Sequence, residues 1–209
     1  MKSLYYLLYL LIGYLSGSIL YADLLPRLIK HVDIRECSAD HNPGTANAFM
    51  YAGIPIGILV ICCELLKGAL PVYAAARHLE LNSLLFAPVM AAPALGHAFP
   101  LFHRKKGGKA IAVSFGALLG LYPLLTPALT LALLYILFSL VITIRPHFFR
   151  SVVTFSTFSC LVLFNRLLPY SIMLGCFFLS LIVVYRHFAA YQGEHFRFEP
   201  IWRRRMGGD

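Results

Sequence analysis

Residues 96–110 read GHAFPLFHRKKGGKA. Four basic side chains (Arg104, Lys105, Lys106 and Lys109) and the paired glycines Gly107 and Gly108 interrupt two apolar runs. Before them, residues 84–102 (LLFAPVMAAPALGHAFPLF) hold no Asp, Glu, Lys or Arg, and after them residues 110–144 give 35 residues without one. About 20 apolar residues suffice for a helix to cross a hydrocarbon core of about 30 Å. A cationic, glycine-bearing loop between two such runs makes the chain a polytopic membrane protein and poses a question: what anion does the loop face?

Composition agrees. Of 209 residues, 59% are hydrophobic and 13% charged, with mean hydropathy +0.74; soluble domains stay near an apolar share of roughly 45–50%. The apolar pattern continues to residue 185, so the first segment reads as a span and not as a cleaved leader. Cys37, Cys62, Cys63, Cys160 and Cys176 have no metal-ligand spacing and are read as small apolar residues. No metal and no cofactor is expected. The net charge of +9 is explained by topology and not by nucleic acid.

Seven crossings are expected: 3–22, 45–76, 84–102, two from the long run 110–144 broken near Pro123 and Pro127, 151–165, and 170–185. The run 45–76 is too long for one straight crossing, so it must tilt, kink at Pro55, Gly68 or Pro71, or run along the interface. With seven crossings, the loops 26–44, 103–109 and 145–150 and the tail 186–209 hold 14 Lys and Arg, against 3 on the opposite side. That asymmetry puts the N-terminus outside and the C-terminus in the cytoplasm. The fold class is therefore all-α, one integral membrane domain over 1–209 with a basic cytoplasmic tail at 186–209.

Two polar loops fall on the cytoplasmic face. Residues 33–47 read DIRECSADHNPGTAN, a turn with short polar side chains and backbone N–H groups that can form an anion-binding nest. In the loop at 96–110, two glycines let backbone approach a ligand, with Lys106 and Lys109 on either side. Each has a bland reading: HRKK alone is a topology signal or a lipid contact, NPG alone is a turn, and His97 alone is an interfacial hydrogen-bonding residue. Glu64 and Lys67 share a helix face at i, i+3, as a neutralising pair near a span end or as functional groups. Together the two loops look like two phosphate sockets.

Their order along the chain carries a resemblance. Gly17-Ser18-Ile19-Leu20 resembles a GSIP stretch. Asp33-Ile34-Arg35-Glu36 through Asn42-Pro43-Gly44-Thr45-Ala46-Asn47 is similar to DIRExGSGNxGATN, and Glu64-Leu65-Leu66-Lys67-Gly68 to DxxKG. Gly96-His97-Ala98-Phe99-Pro100 and Lys106-Gly107-Gly108-Lys109-Ala110 match GHxFPxFxxxKGGKG in register. These are motifs of the bacterial integral-membrane glycerol-3-phosphate acyltransferases that use acyl phosphate as donor (PlsY-type), and the chain resembles a divergent member. Ala39-Asp40-His41 stand where the family has a serine flanked by glycines, and Met50 where it has an arginine. Ala110 replaces a glycine and Val113 a threonine, and after His187 comes Ala190 where the family has an asparagine.

The resemblance implies transfer of an acyl group from acyl phosphate to the sn-1 hydroxyl of glycerol 3-phosphate, giving lysophosphatidic acid, the first step of bacterial phospholipid synthesis. It implies a multi-pass enzyme of the bacterial cytoplasmic membrane, monomeric, with acyl phosphate, glycerol 3-phosphate and membrane lipids as partners and no nucleic acid. His97, Lys106 and Lys109 are the implied catalytic residues. Asn42, Gly44, Thr45 and Asn47 would cradle one phosphate while Gly107 and Gly108 help hold the other, with Ser18, Arg35, Glu64, Lys67 and His187 in support. The proton of the attacking hydroxyl goes to His97 or to a substrate phosphate. The alternative is a degenerate relative that binds an anionic lipid or lipid precursor without turnover. A small transporter is disfavoured, because the spans hold few ionisable groups beyond Glu64 and Lys67.

Overall fold

The computed structural model describes residues 2–102 and 107–200. Lys106, with Arg104 and Lys105, and the tail arginines Arg203, Arg204 and Arg205 lie outside the described residues. Among these residues ten α-helices follow in chain order: α1 (Lys2–Gly17), α2 (Tyr21–Lys30), α3 (Ile34–Cys37), α4 (Thr45–Ala52), α5 (Ile54–His78), α6 (Phe86–Ala98), α7 (Ile111–Leu119), α8 (Thr126–Ile136), α9 (His147–Leu163) and α10 (Tyr170–Phe188). A π-helical turn (Leu137–Val141) leads from α8 into strand β1 (Ile142–Arg145), which pairs antiparallel with β2 (Arg197–Pro200).

Among the described residues, three segments are long and apolar enough to cross a membrane: Lys2–Lys30, Ile54–His78 and Tyr170–Phe188. Their surfaces invert the soluble pattern. Leu4, Leu8 and Leu11 of α1, Ile58 and Leu70 of α5, and Leu133 of α8 all point outward and are exposed, as a lipid-facing surface requires. Inside, Phe86, Leu131, Phe155, Phe158 and Ile172 form one apolar core joining α6, α8, α9 and α10.

Lipid tails offer helices no hydrophobic drive to associate, so close backbone packing through small residues replaces it. A Cβ at Gly96 would run into the Tyr14 carbonyl of α1, and one at Gly116 into the Leu65 carbonyl of α5. These contacts fix α1 against α6 and α5 against α7, the two pairs that frame the site described below.

Several expected boundaries are corrected. Helix α1 ends at Gly17, inside the expected crossing 3–22, and α2 begins at Tyr21. The long run 45–76 divides at Gly53, whose φ of +88° ends α4, and Pro55 sits in the first turn of α5 instead of kinking it. Pro71 stays inside α5. The apolar run 110–144 does break near Pro123, but its end is the π-helical turn and β1, not a helix. The fold is thus helical with one two-stranded sheet, where only helices were expected. Arg186 and His187, assigned to the tail, belong to α10 and are buried. Part of the tail forms β2.

Candidate active site

Both motif loops open onto one cavity of about 670 Å³. The first loop supplies Asp40 and Asn42 through Asn47 to its wall, and the second supplies Lys109 and Ala110, followed by Ile111 and Ala112. Two helices therefore begin at the cavity, α4 after its N-cap Gly44 and α7 after its N-cap Ala110. First-turn N–H groups lack partners within their helix and carry the positive end of its dipole, so two such ends suit an anion. Ile61 and Leu65 of α5 and Phe115 and Leu119 of α7 continue the lining. The cavity has a polar mouth and an apolar wall.

One carboxylate ties the loops together. Asp40 Oδ2 accepts from Lys109 Nζ at 2.9 Å, while Oδ1 accepts from Asn47 Nδ2 at 2.9 Å and from the Asn42 N–H at 3.3 Å. Asn47 also donates to the Asn42 carbonyl at 2.9 Å. Burial alone would raise the Asp40 carboxyl, but the hydrogen bond and charge of Lys109, joined by Asn47 and the Asn42 N–H, hold its pKa below the ordinary value. An ammonium, a carboxamide and a backbone N–H converging on two oxygens form the contact set a phosphoryl group would use. Here an internal anion occupies it.

Behind the wall lies a buried cluster. Lys67 Nζ donates to the Ile19 carbonyl at 2.6 Å and pairs with Glu64 Oε2 at 2.8 Å and His97 Nδ1 at 2.8 Å. His97 Nδ1 also lies 3.2 Å from Glu64 Oε2, so it faces both the ammonium and the carboxylate. Glu64 and Lys67, read as a pair near a span end, instead sit inside α5 at 1% and 2% side-chain exposure. Glu64 and His97 reach the cavity; Lys67 stands behind them.

The glycine loop rests on this cluster. Gly108 N–H donates to the His97 carbonyl at 3.1 Å, and a Cβ at Gly108 would collide with the His97 ring. From the far side, Arg186 donates from Nε to the Gly108 carbonyl at 3.2 Å and from Nη2 to the Gly107 carbonyl, its guanidinium 5.7 Å from the Phe99 ring centre. Gly107 and Gly108 are thereby clamped between α6 and α10. Ala110 adopts φ +61°, a left-handed conformation that suits glycine.

Of the residues singled out by sequence, Asn42, Gly44, Thr45, Asn47, Glu64, His97 and Lys109 line the cavity. Ser18 does not: its Oγ donates to the Tyr14 carbonyl at 2.8 Å and accepts from the Leu101 N–H at 3.2 Å, anchoring the end of α6. Arg35 pairs with Asp23 at 3.4 Å beside the first loop. His187 is buried and stacks on His147, centroids 5.8 Å apart. Met50 is exposed on the outer surface. Sequence reasoning missed Asp40 as the link between loops and His147 as a wall residue. Asp40 could have been found as the one acidic residue in the substituted stretch; His147 carried no local signal.

The family model for glycerol-3-phosphate acyltransferase matches residues 7–193. The glycerol-3-phosphate acyltransferase of Pseudomonas savastanoi pv. phaseolicola is 36% identical over 177 residues, 84% of this chain and 86% of its own length. That of Syntrophotalea carbinolica is 33% identical over 178 residues, 85% and 88% of the two chains. With the Aliivibrio fischeri protein identity reaches 42%, but over 112 residues, so the chain spans about half the length of that relative, 56%. Crystal structures of PlsY, an integral membrane glycerol 3-phosphate acyltransferase, in its glycerol 3-phosphate and lysophosphatidic acid forms, superpose with TM-scores of 0.76 and 0.74 at 27% identity, covering 88% and 87% of each chain. A family match over nearly the whole chain, on a shared fold and with both motif loops at one cavity, makes this chain a member of the glycerol-3-phosphate acyltransferase family.

Proposed function

We propose that the chain transfers an acyl group from acyl phosphate to the sn-1 hydroxyl of glycerol 3-phosphate, releasing lysophosphatidic acid and inorganic phosphate. The observation that carries this reading is the convergence of the two loops on one cavity, tied by the contact of Asp40 with Lys109. The solved relatives in glycerol 3-phosphate and lysophosphatidic acid forms support the acceptor and the product.

Acyl phosphate is a mixed anhydride with a good leaving group, so no acyl-enzyme is needed. The glycerol hydroxyl oxygen attacks the acyl carbon, the bond from that carbon to the phosphate oxygen breaks, and the hydroxyl proton passes to a phosphate oxygen. Holding two reactants in this geometry can remove about 7–11 kcal/mol of barrier. Asn42, Gly44, Thr45 and Asn47 at the start of α4 cradle one phosphate. Gly107, Gly108, Lys109 and Lys106 hold the other, after a phosphoryl group takes the place of the Asp40 carboxylate. His97, its Nδ1 held between Lys67 and Glu64, presents Nε2 to the substrates and is the strut beneath Gly108. The acyl chain lies along Ile61, Leu65, Phe115 and Leu119.

With the seven crossings read from the apolar runs, the charge asymmetry puts the N-terminus outside and both loops on the cytoplasmic side. That puts the site where soluble glycerol 3-phosphate and membrane-borne acyl phosphate meet, in a monomer of the bacterial cytoplasmic membrane. The second reading, binding of an anionic lipid without turnover, draws on the Asp40 carboxylate in the anion position and on outward-facing Met50. Purified protein in lipid bicelles, given acyl phosphate and glycerol 3-phosphate, separates the two. Equal release of phosphate and lysophosphatidic acid supports acyl transfer; binding with no phosphate release supports the second reading.

A further inference from the structure

After α10 the chain passes Gly193, at φ +82°, and returns as β2 to pair with β1. The family match ends at residue 193, so β2 lies outside the matched region. This returning strap walls a second cavity, of about 550 Å³, that shares His147 with the first. Arg145 and Arg150 line it from β1 and α9, and Glu194, His195 and Arg197 from the strap.

Successive side chains of a strand point to opposite faces, and the register sets Ile144 opposite Phe198 and Arg145 opposite Arg197. One face of the sheet is therefore cationic and turned to the second cavity. The other is apolar, and its Phe198 is exposed, as is Phe196 just before β2. Charge inward and aromatic rings outward is the reverse of the order that surrounding water favours. A contiguous exposed apolar patch marks a surface that something covers.

The apolar face is continuous with the lipid-facing surface. Phe196 packs edge-to-face on Phe149 at 5.4 Å between ring centres, Phe149 on Tyr191 at 6.3 Å, Tyr191 on Phe148 at 4.5 Å, and Phe148 on Phe188 at 5.2 Å. Phe188 and Tyr191 are exposed too, and Phe188 ends the apolar span Tyr170–Phe188. These rings lead from the end of a membrane-crossing helix onto the strap without a break. On the other strand, the exposed Leu133, Ile136 and Leu140 belong to α8 and the π-helical turn, which run straight into β1. Both strands thus leave the lipid-facing surface where spans end, the level at which aromatic belts form.

We propose that the aromatic face of the strap docks into the headgroup–acyl boundary of the bilayer, in the leaflet on which both motif loops lie. The lipid thereby holds His195 and Arg197 over the second cavity, next to the His147 wall of the first. Phe196 and Phe198 exchange water for hydrocarbon, while the guanidinium of Arg197 stays on the polar side.

The test uses the full chain in phosphatidylcholine bicelles. Trp202→Phe removes the one tryptophan of the sequence, and Phe198→Trp then places a single indole on the apolar face. Docking at the depth of interfacial segments, about 5–10 Å, predicts quenching by lipid brominated near the ester carbonyls at least about twofold stronger than by lipid brominated at the chain ends, with little quenching by aqueous acrylamide. A second measurement leaves the protein unaltered: a phosphatidylcholine carrying a diazirine near its ester carbonyl is photolysed, and cross-links are expected within residues 188–198. Phe196→Ser combined with Phe198→Ser should lower that yield about tenfold while leaving cross-links to α5 unchanged. An indole open to acrylamide and untouched by brominated lipid places the strap in water, and one shielded from both places a protein surface on it, a second copy included. Either result, or a wild-type strap without cross-links, overturns the proposal.

Discussion

The first cavity is walled by helix starts, a glycine loop and a buried cluster, each positioned by residues that stand in recognisable order along the chain. The second is walled by a strand and a returning tail, brought together by backbone pairing and aromatic contacts across about fifty residues of sequence. In the first, an internal carboxylate answers the cations at 2.9 Å; in the second, two arginines face each other across the sheet. The difference teaches that one small protein can gather cations either through motifs set close together along the chain or only through contacts distant in sequence.

The largest expected effect tests how rigidly the first region is built. Glu64→Ala leaves the Lys67 ammonium buried without its carboxylate, a loss of about 3–5 kcal/mol. Thermal unfolding in detergent should show it, and a melting temperature equal to wild type would remove the buried cluster from the account. Next, Lys109→Ala deletes the cation of the second loop. Phosphate release should fall about 10²–10³-fold with the fold retained.

Asp40 sharpens the comparison. Because its pKa is held below the ordinary carboxylate value, the folded state binds fewer protons than the unfolded one, and the stabilisation is complete above the unfolded value of about 4. It fades as pH falls through the lower folded value. Wild type should therefore lose this increment only in acid, and Asp40→Asn should show a flatter stability profile there. At neutral pH Asp40→Asn should also tighten binding of inorganic phosphate in the first cavity by about tenfold, as the internal competitor is gone; weaker binding would mean that Asp40 organises the donors instead of occupying them. Two smaller effects separate the regions further. Phe196→Ala removes an edge-to-face contact worth about 1 kcal/mol and should speed proteolysis of the tail while leaving the α5 and α7 pair intact. Ala110→Gly relieves a left-handed residue and should raise stability by about 0.5–1 kcal/mol.

The first region was legible because its signals are local. Long charge-free runs marked the helices, and the spacing of Lys106, Gly107, Gly108 and Lys109 after Gly96-His97 marked the loop. What stayed hidden depends on contacts distant in sequence. Arg186 fell within the stretch 186–209 read as a tail, and its bonds to Gly107 and Gly108 appear once α10 packs on α6. Strand β1 is indistinguishable by composition from the apolar run that ends in it. Gly53 rather than Pro55 ends α4 because a proline in the first helical turn loses no hydrogen bond, whereas a positive φ changes the chain direction. Ser18 and Arg35 carry family positions yet do not line the cavity, which residue order alone could not reveal.

The central claim is that the two loops grip a phosphoryl group at one cavity while an acyl chain lies between α5 and α7. A crystal structure with an acyl phosphonate, which cannot be cleaved, tests it most directly. The account predicts the phosphonate oxygens within hydrogen-bond distance of Lys109, Asn47 and the first turn of α4, with the chain along Leu65 and Phe115. Density for the phosphonate away from both loops, with Lys109 still on Asp40, would contradict it.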